Sequence, residues 1–169
     1  MKRVMCIPNY SEGRDEEKIN KIVDCFRDVS NVKLVDYQPD KDHNRLVVEV
    51  IGEPESVIKA LLKSVEVAVE LIDMRTHKGA HPRMGAVDVV PFIPISEVDT
   101  KDCIEYANTG ASAIVDMEIP EYLYEDAATK PERKNLAKVR KGQYEGFFEK
   151  IKEDEWTPDY GPKEMNEKS

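Results

Sequence analysis

Apolar positions along this chain switch between two spacings, and the switches predict its elements. Val4 to Pro8 is a short apolar run that predicts a buried strand. The polar segment Asn9-Tyr10-Ser11-Glu12-Gly13-Arg14 reads as a loop, after which Ile19, Ile22, Val23 and Phe26 recur at helical spacing. Val32 to Tyr37 predicts a second strand. Leu46 to Ile51 predicts a third, and its nearly continuous apolar run suits a central place in a sheet. Pro54 opens a long helix on which Ile58, Leu61, Leu62, Val65, Val69 and Ile72 form one stripe. Ala86 to Phe92 then predicts strand four.

The second half carries weaker signals. Asp99 or Thr100 can cap a helix running to about Val115, with Cys103, Ile104 and Ala107 inward. Tyr122-Leu123-Tyr124 reads as a short strand. Further helices are expected from Pro131 through Leu136 and Val139, and over Tyr144 to Ile151; beyond Trp156 the chain is polar and irregular. The order strand-helix-strand-strand-helix-strand predicts an α+β fold, a ferredoxin-like βαββαβ sandwich with both helices on one face. Extra C-terminal helices and a short strand complete it, as a single domain over residues 1–169.

Composition narrows the class. The chain is 40% hydrophobic and 35% charged, with a formal net charge of -9. That acidity argues against nucleic acid, which selects clustered Lys and Arg. Cys6, Cys25 and Cys103 are odd in number and far apart, so neither a disulfide framework nor a zinc knuckle is expected. The N-terminus lacks the apolar core of a signal peptide, and no run is long enough to span a bilayer; a cytoplasmic location is expected.

Against this acidic background, residues 74–87 hold Arg75, Lys78 and Arg83 and no acid, together with two of the three histidines. A base that titrates near neutrality, set among cations, suits proton transfer on an anionic substrate. His81 lies on a loop that leads into a strand, a common place for a catalytic group. Nearby cations favour its neutral, proton-accepting form. His77, nearer the preceding helix, is expected to cap that helix and meet its dipole. Gly79 and Pro82 break the helix that a His77/His81 metal pair would need, and no metal is expected. In the cluster Asp42-His43-Asn44-Arg45, Arg45 can hold a carboxylate and Asn44 can orient an amide or imine, while a plain hairpin turn uses the same residues. Asn9, in the first polar loop, can likewise line an anion site or a turn. No cysteine lies near a histidine in sequence and no serine has an elbow motif around it, so nucleophilic catalysis has no support.

The run HKGAHPRMGAVDVVPFIP from His77, with CIPNYSEGR near the start and Asn44-Arg45, closely resembles the formiminotransferase family. PEYLYEDAA, GQYEG and EWTPDYGP extend the resemblance over nearly the whole chain. The resemblance implies transfer of a formimidoyl group between N-formimidoyl-L-glutamate and tetrahydrofolate, a co-substrate, in histidine breakdown. It implies His81 as catalytic base and acid, with Asn9, Asn44, Arg45, Lys78 and Arg83 as candidate substrate contacts. It also implies folate contacts along Gly161, Pro162, Lys163, Glu164, Met165, Asn166, Glu167, Lys168 and Ser169. Family members continue into a second half, with the substrate channel between the two ferredoxin-like halves. The chain is therefore expected to be the N-terminal subdomain, partnered by the C-terminal one. A homodimer and a folate- or glutamate-binding module without turnover are the other expectations. In animal members a second acidic residue stands at the place of Gln38, so no role of that carboxylate carries over.

Overall fold

Proline sets the seams of the sheet. The structure is a computed structural model that describes residues 1–169. Its first passage is divided into β1 (Arg3–Cys6) and β2 (Asn9–Tyr10) by Ile7-Pro8. After β3 (Val32–Asp40) and β4 (Arg45–Gly52), the last passage is divided into β5 (Val87–Val89) and β6 (Phe92–Ser96) by Val90-Pro91. Proline has no N–H to give to a ladder, so the regular pairing stops at each. The gap is bridged by Ile7 N–H to the Pro91 carbonyl at 3.2 Å and Val48 N–H to the Pro8 carbonyl at 3.1 Å.

Across the sheet the passages run β5/β6, β1/β2, β4, β3, and every neighbouring pair is antiparallel. The result is a mixed α/β fold on one antiparallel sheet. β4 has a partner on both sides, and its residues alternate between buried and half-buried. Leu46, Val48 and Val50 join Val4, Cys6 and Tyr10 in the core, as a period of two requires.

That core is closed by α1 (Glu16–Val23) and α2 (Pro54–Leu71), which pack on each other. Asp15 starts α1 by accepting the N–H groups of Glu17 and Lys18, and Glu53 does the same for Glu55 and Ser56 on α2. The buried stripe of α2 is Val57, Ile58, Leu61, Val65 and Ala68, with Leu62 and Val69 at its half-buried margin. Tyr10 reaches Ser64 on α2 through a 2.5 Å hydroxyl contact, which satisfies both groups inside the core.

In the second half, α3 (Thr100–Ile114) starts at Asp99 in a reciprocal capping box with Asp102. Residues 122–124 do not form the expected strand; the only pairing there is the bridge Glu121–Tyr160. Pro131–Arg133 is a single tight turn, and α4 (Leu136–Arg140) follows it, then α5 (Gln143–Lys150). Asn9-Tyr10, expected in a loop, pairs on both sides instead. The three cysteines are free and buried. No helix is long and apolar enough to cross a membrane.

The irregular tail is anchored rather than loose. Arg133, 1% exposed, pairs with Asp159 at 3.0 Å and donates to the carbonyls of Glu155 and Thr157. Farther on, the Lys168 carbonyl accepts from Met74 N–H at 2.8 Å and the Ser169 carbonyl from Ala86 N–H at 2.9 Å.

Candidate active site

Three loops meet at the end of the sheet where β4 begins, and Asn44 ties them together. Its φ of 51° is left-handed, a conformation asparagine tolerates better than most residues. Its Oδ1 accepts Gly13 N–H at 2.9 Å, its Nδ2 donates to the Lys78 carbonyl at 3.0 Å, and its own carbonyl accepts from His77 Nε2 at 3.1 Å. The loops approach so closely that a Cβ on Gly79 would lie 2.3 Å from the His43 carbonyl oxygen. The glycine is there for lack of space.

This clasp presents His81. Arg45 Nη1 stands against the ring, 3.4 Å from Nδ1 and 3.5 Å from Nε2. Asp88 Oδ2 lies 3.6 Å from Nε2. Asp88 is itself fixed, accepting Met84 N–H at 2.8 Å on one oxygen and Arg140 on the other. Burial lowers the imidazole pKa first; Arg45 and Arg140 lower it further, Asp88 opposes them, and His43 adds a small push down. The ring is thus held toward its neutral form, able to take a proton at neutral pH. Its side chain is 14% exposed, so a path to solvent remains. A cavity of about 530 Å³ begins at Asp88, lined mostly by apolar side chains, with Tyr124, Met165, Asn166 and Ser169 also in its wall. Asp88 therefore touches both the imidazole and the cavity.

Residues 3–169 match the family described as formiminotransferase domain, N-terminal subdomain. The chain belongs to that family. It is 47% identical to a glutamate formimidoyltransferase of Streptococcus pyogenes serotype M1 over 98% of its length, covering 56% of that protein. It is 41% identical to one of Thermoplasma acidophilum over 96% of its length, covering 54% of it. Identity to the formimidoyltransferase-cyclodeaminase of Rattus norvegicus is 42% over 94% of the chain and 30% of the relative. The chain thus spans about half, or less, of the curated relatives it matches.

The subdomain arranges its sequence-predicted residues unequally. His81 and Arg45 are in contact. Lys78 is exposed on the same loop, with its carbonyl on Asn44. Asn44 spends its Oδ1 and one Nδ2 hydrogen on the clasp, so its first role is to shape the site. Asn9 donates to the Ile7 carbonyl at 2.9 Å, beside the first proline seam. Arg83 is 6% exposed, and its five N–H groups find five acceptors: His77 Nδ1, the His77 carbonyl, Gln143 and both oxygens of Glu145. No donor is left for a substrate carboxylate, and Arg83 acts as a strut.

His77 also departs from expectation. α2 ends at Leu71, and His77 lies well past it, accepting from Arg83 and donating to Asn44. It braces the loop instead of capping the helix, and burial lowers its pKa. From Gly161 to Ser169, the stretch turns at Gly161, which has a φ of 84°. It then runs along the cavity, where Met165, Asn166 and Ser169 form wall, and Lys163, exposed, pairs with Asp154 at 3.2 Å. Its last residue, Ser169, accepts from Ala86 N–H, close in sequence to His81. Sequence reasoning missed Asp88, Arg140 and Glu145. Asp88 alone had a visible signal, as the one acid inside the apolar run from Ala86 to Phe92. No group of three or more His, Cys, Asp or Glu side chains is placed to hold a metal ion.

Proposed function

We propose that this chain is the catalytic half of a glutamate formimidoyltransferase, moving a formimidoyl group between N-formimidoyl-L-glutamate and tetrahydrofolate in histidine degradation. The observation that carries the reading is His81, a neutral-leaning imidazole beside Arg45 and the Asp88–Arg140 pair, with Asp88 also lining an apolar cavity. The names of the relatives supply the reaction.

In this reading the folate ring lies in the cavity. Apolar walls with polar atoms from Asn166 and Ser169 suit a flat heteroaromatic ring. Arg45 and Lys78 are the cations near His81 with capacity for carboxylates of glutamate or the folate tail. As the folate 5-nitrogen attacks the formimidoyl carbon, His81 accepts its proton. A positioned acid-base group of this kind contributes about 100- to 10,000-fold, or roughly 3 to 5 kcal/mol of barrier. Holding both substrates together supplies much of the rest. A C-terminal subdomain completes the channel, the location is cytoplasmic, and the strand order supports reading the sheet as ferredoxin-like.

The test is transfer activity. The chain is assayed alone and with the C-terminal remainder of the Streptococcus pyogenes relative, using formimidoylglutamate and tetrahydrofolate. Transfer in either arm supports the reading. A folded chain that yields none in both, yet binds tetrahydrofolate saturably, would leave a binding module in its place.

A further inference from the structure

His81 is not the only imidazole at this site. The ring of His43, on the turn between β3 and β4, lies edge-on to it with centroids 6.3 Å apart and planes at 67°. His43 is held by Asp40. Its Nδ1 meets Asp40 Oδ2 at 2.7 Å, while Asp40 Oδ1 accepts the backbone N–H groups of Asp42 at 3.0 Å and of His43 itself at 3.1 Å. One carboxylate therefore shapes the turn and orients the ring. With Nδ1 committed, Nε2 makes no hydrogen bond within the chain and is available to a substrate. The His43 side chain is 46% exposed against 14% for His81, so it is the more open of the two to solvent and substrate.

We propose that His43, oriented by Asp40, is the acid that protonates the departing amine, so that the site works with two histidines rather than one. The inference rests on formimidoyl transfer being the reaction. That reaction moves protons at two different nitrogens on one carbon, about 2.4 Å apart given ordinary C–N bonds. A single ring serving both must let go of one nitrogen and reach the other. Two adjacent rings address both at once.

The step balances as follows. The folate 5-nitrogen forms a bond to the formimidoyl carbon as the carbon–nitrogen π pair moves onto the imino nitrogen, to re-form the double bond on collapse, and the 5-nitrogen's proton passes to His81. When the adduct collapses, the carbon–nitrogen bond to glutamate breaks, its electron pair stays on the glutamate nitrogen, and that nitrogen takes the proton from His43. His81 is left protonated and His43 neutral. Transfer through a water between the two rings, or exchange with solvent, restores the start. The Asp40 carboxylate balances the charge of His43 while that ring carries two protons, as the third member of a catalytic triad does for its histidine.

The test varies the leaving group in the transfer-competent protein. His43→Gln is expected to lower kcat on formimidoylglutamate by about 100-fold or more. KM stays within about threefold, because binding is not what is lost. On a formimidoyl arylamine, whose weakly basic amine departs without full protonation, the same variant loses less than about tenfold. Asp40→Asn keeps the turn's backbone acceptor and is expected to show the same substrate pattern with a smaller loss, which guards against a His43 variant that misfolds. Full activity in His43→Gln, or equal losses on both substrates in both variants, would overturn the proposal. A wild-type protein that transfers while these variants do so normally removes His43 alone. A wild-type protein that never transfers removes the reading beneath it.

Discussion

Asp88 places one carboxylate oxygen 3.6 Å from the Nε2 of His81, close enough to steady its charge yet too far for a direct hydrogen bond. The imidazole is therefore balanced, with Asp88 favouring the charged form and Arg45 with Arg140 favouring the neutral one. Removing either side should move the ring in a known direction. Asp88→Asn takes away the stabilising anion and lowers the His81 pKa, whereas Arg45→Met takes away a repelling cation and raises it. An NMR titration of the ring protons reads both. Shifts of the same sign would contradict this balance.

His81→Ala should lower transfer by about 100- to 10,000-fold in the competent protein. Its side chain lies at the site's edge, outside the buried core. We therefore expect stability to change by about 1 kcal/mol or less. Steady-state kinetics beside urea denaturation checks both halves, and unchanged turnover would remove the residue from the chemistry.

Gly79→Ala tests the clasp. The added Cβ would meet the His43 backbone carbonyl oxygen at 2.3 Å and the Asn44 Cβ at 2.8 Å, on a side chain already held by its amide hydrogen bonds. We expect a loss of about 1–3 kcal/mol in urea denaturation, the usual cost of overpacking. Wild-type stability in this variant would show the loops to be loosely joined.

Glu121 ties stability to pH. Burial raises its pKa to about 8, and its Oε2 has no hydrogen-bond partner. The folded state thus holds a proton that the unfolded chain releases near its ordinary carboxyl value. Stability should fall as pH rises from about 4.5 to about 8 and stay low above. Glu121→Gln removes that dependence and should be the more stable protein at pH 9 by about 1–3 kcal/mol. Denaturation at pH 5 and pH 9 measures the difference.

Arg133→Ala should cost about 3–5 kcal/mol, because it leaves the Asp159 carboxylate buried without its partner. Guanidinium melts of this variant beside Asp159→Ala give the measurement. A loss under about 1 kcal/mol would place the pair in the class of surface ion pairs.

How far the sequence could be read follows from where each signal lies. The α2 stripe and the apolar run of β4 are local signals, and both elements stand where they are expected. The prolines at 8 and 91 were visible, but not that they fall side by side on paired strands, which is what divides both passages. Residues 122–124 have strand-forming composition, yet no neighbouring strand meets them beyond Glu121. His81 and Arg45, proposed from residue type and loop position, are in contact. Arg83 was misjudged for a physical reason: its acceptor Glu145 is 62 residues away, and no spacing rule reports a tertiary ion pair. Arg140 on Asp88, 52 residues apart, stayed hidden in the same way.

The Asn44 knot has a thermodynamic consequence. Loops joined to one another at Gly13, Lys78 and His77 lose their conformational freedom when the chain folds. Little of that ordering is left to be done when a ligand arrives, so binding at this end of the sheet should show a small entropic penalty for a loop-built pocket.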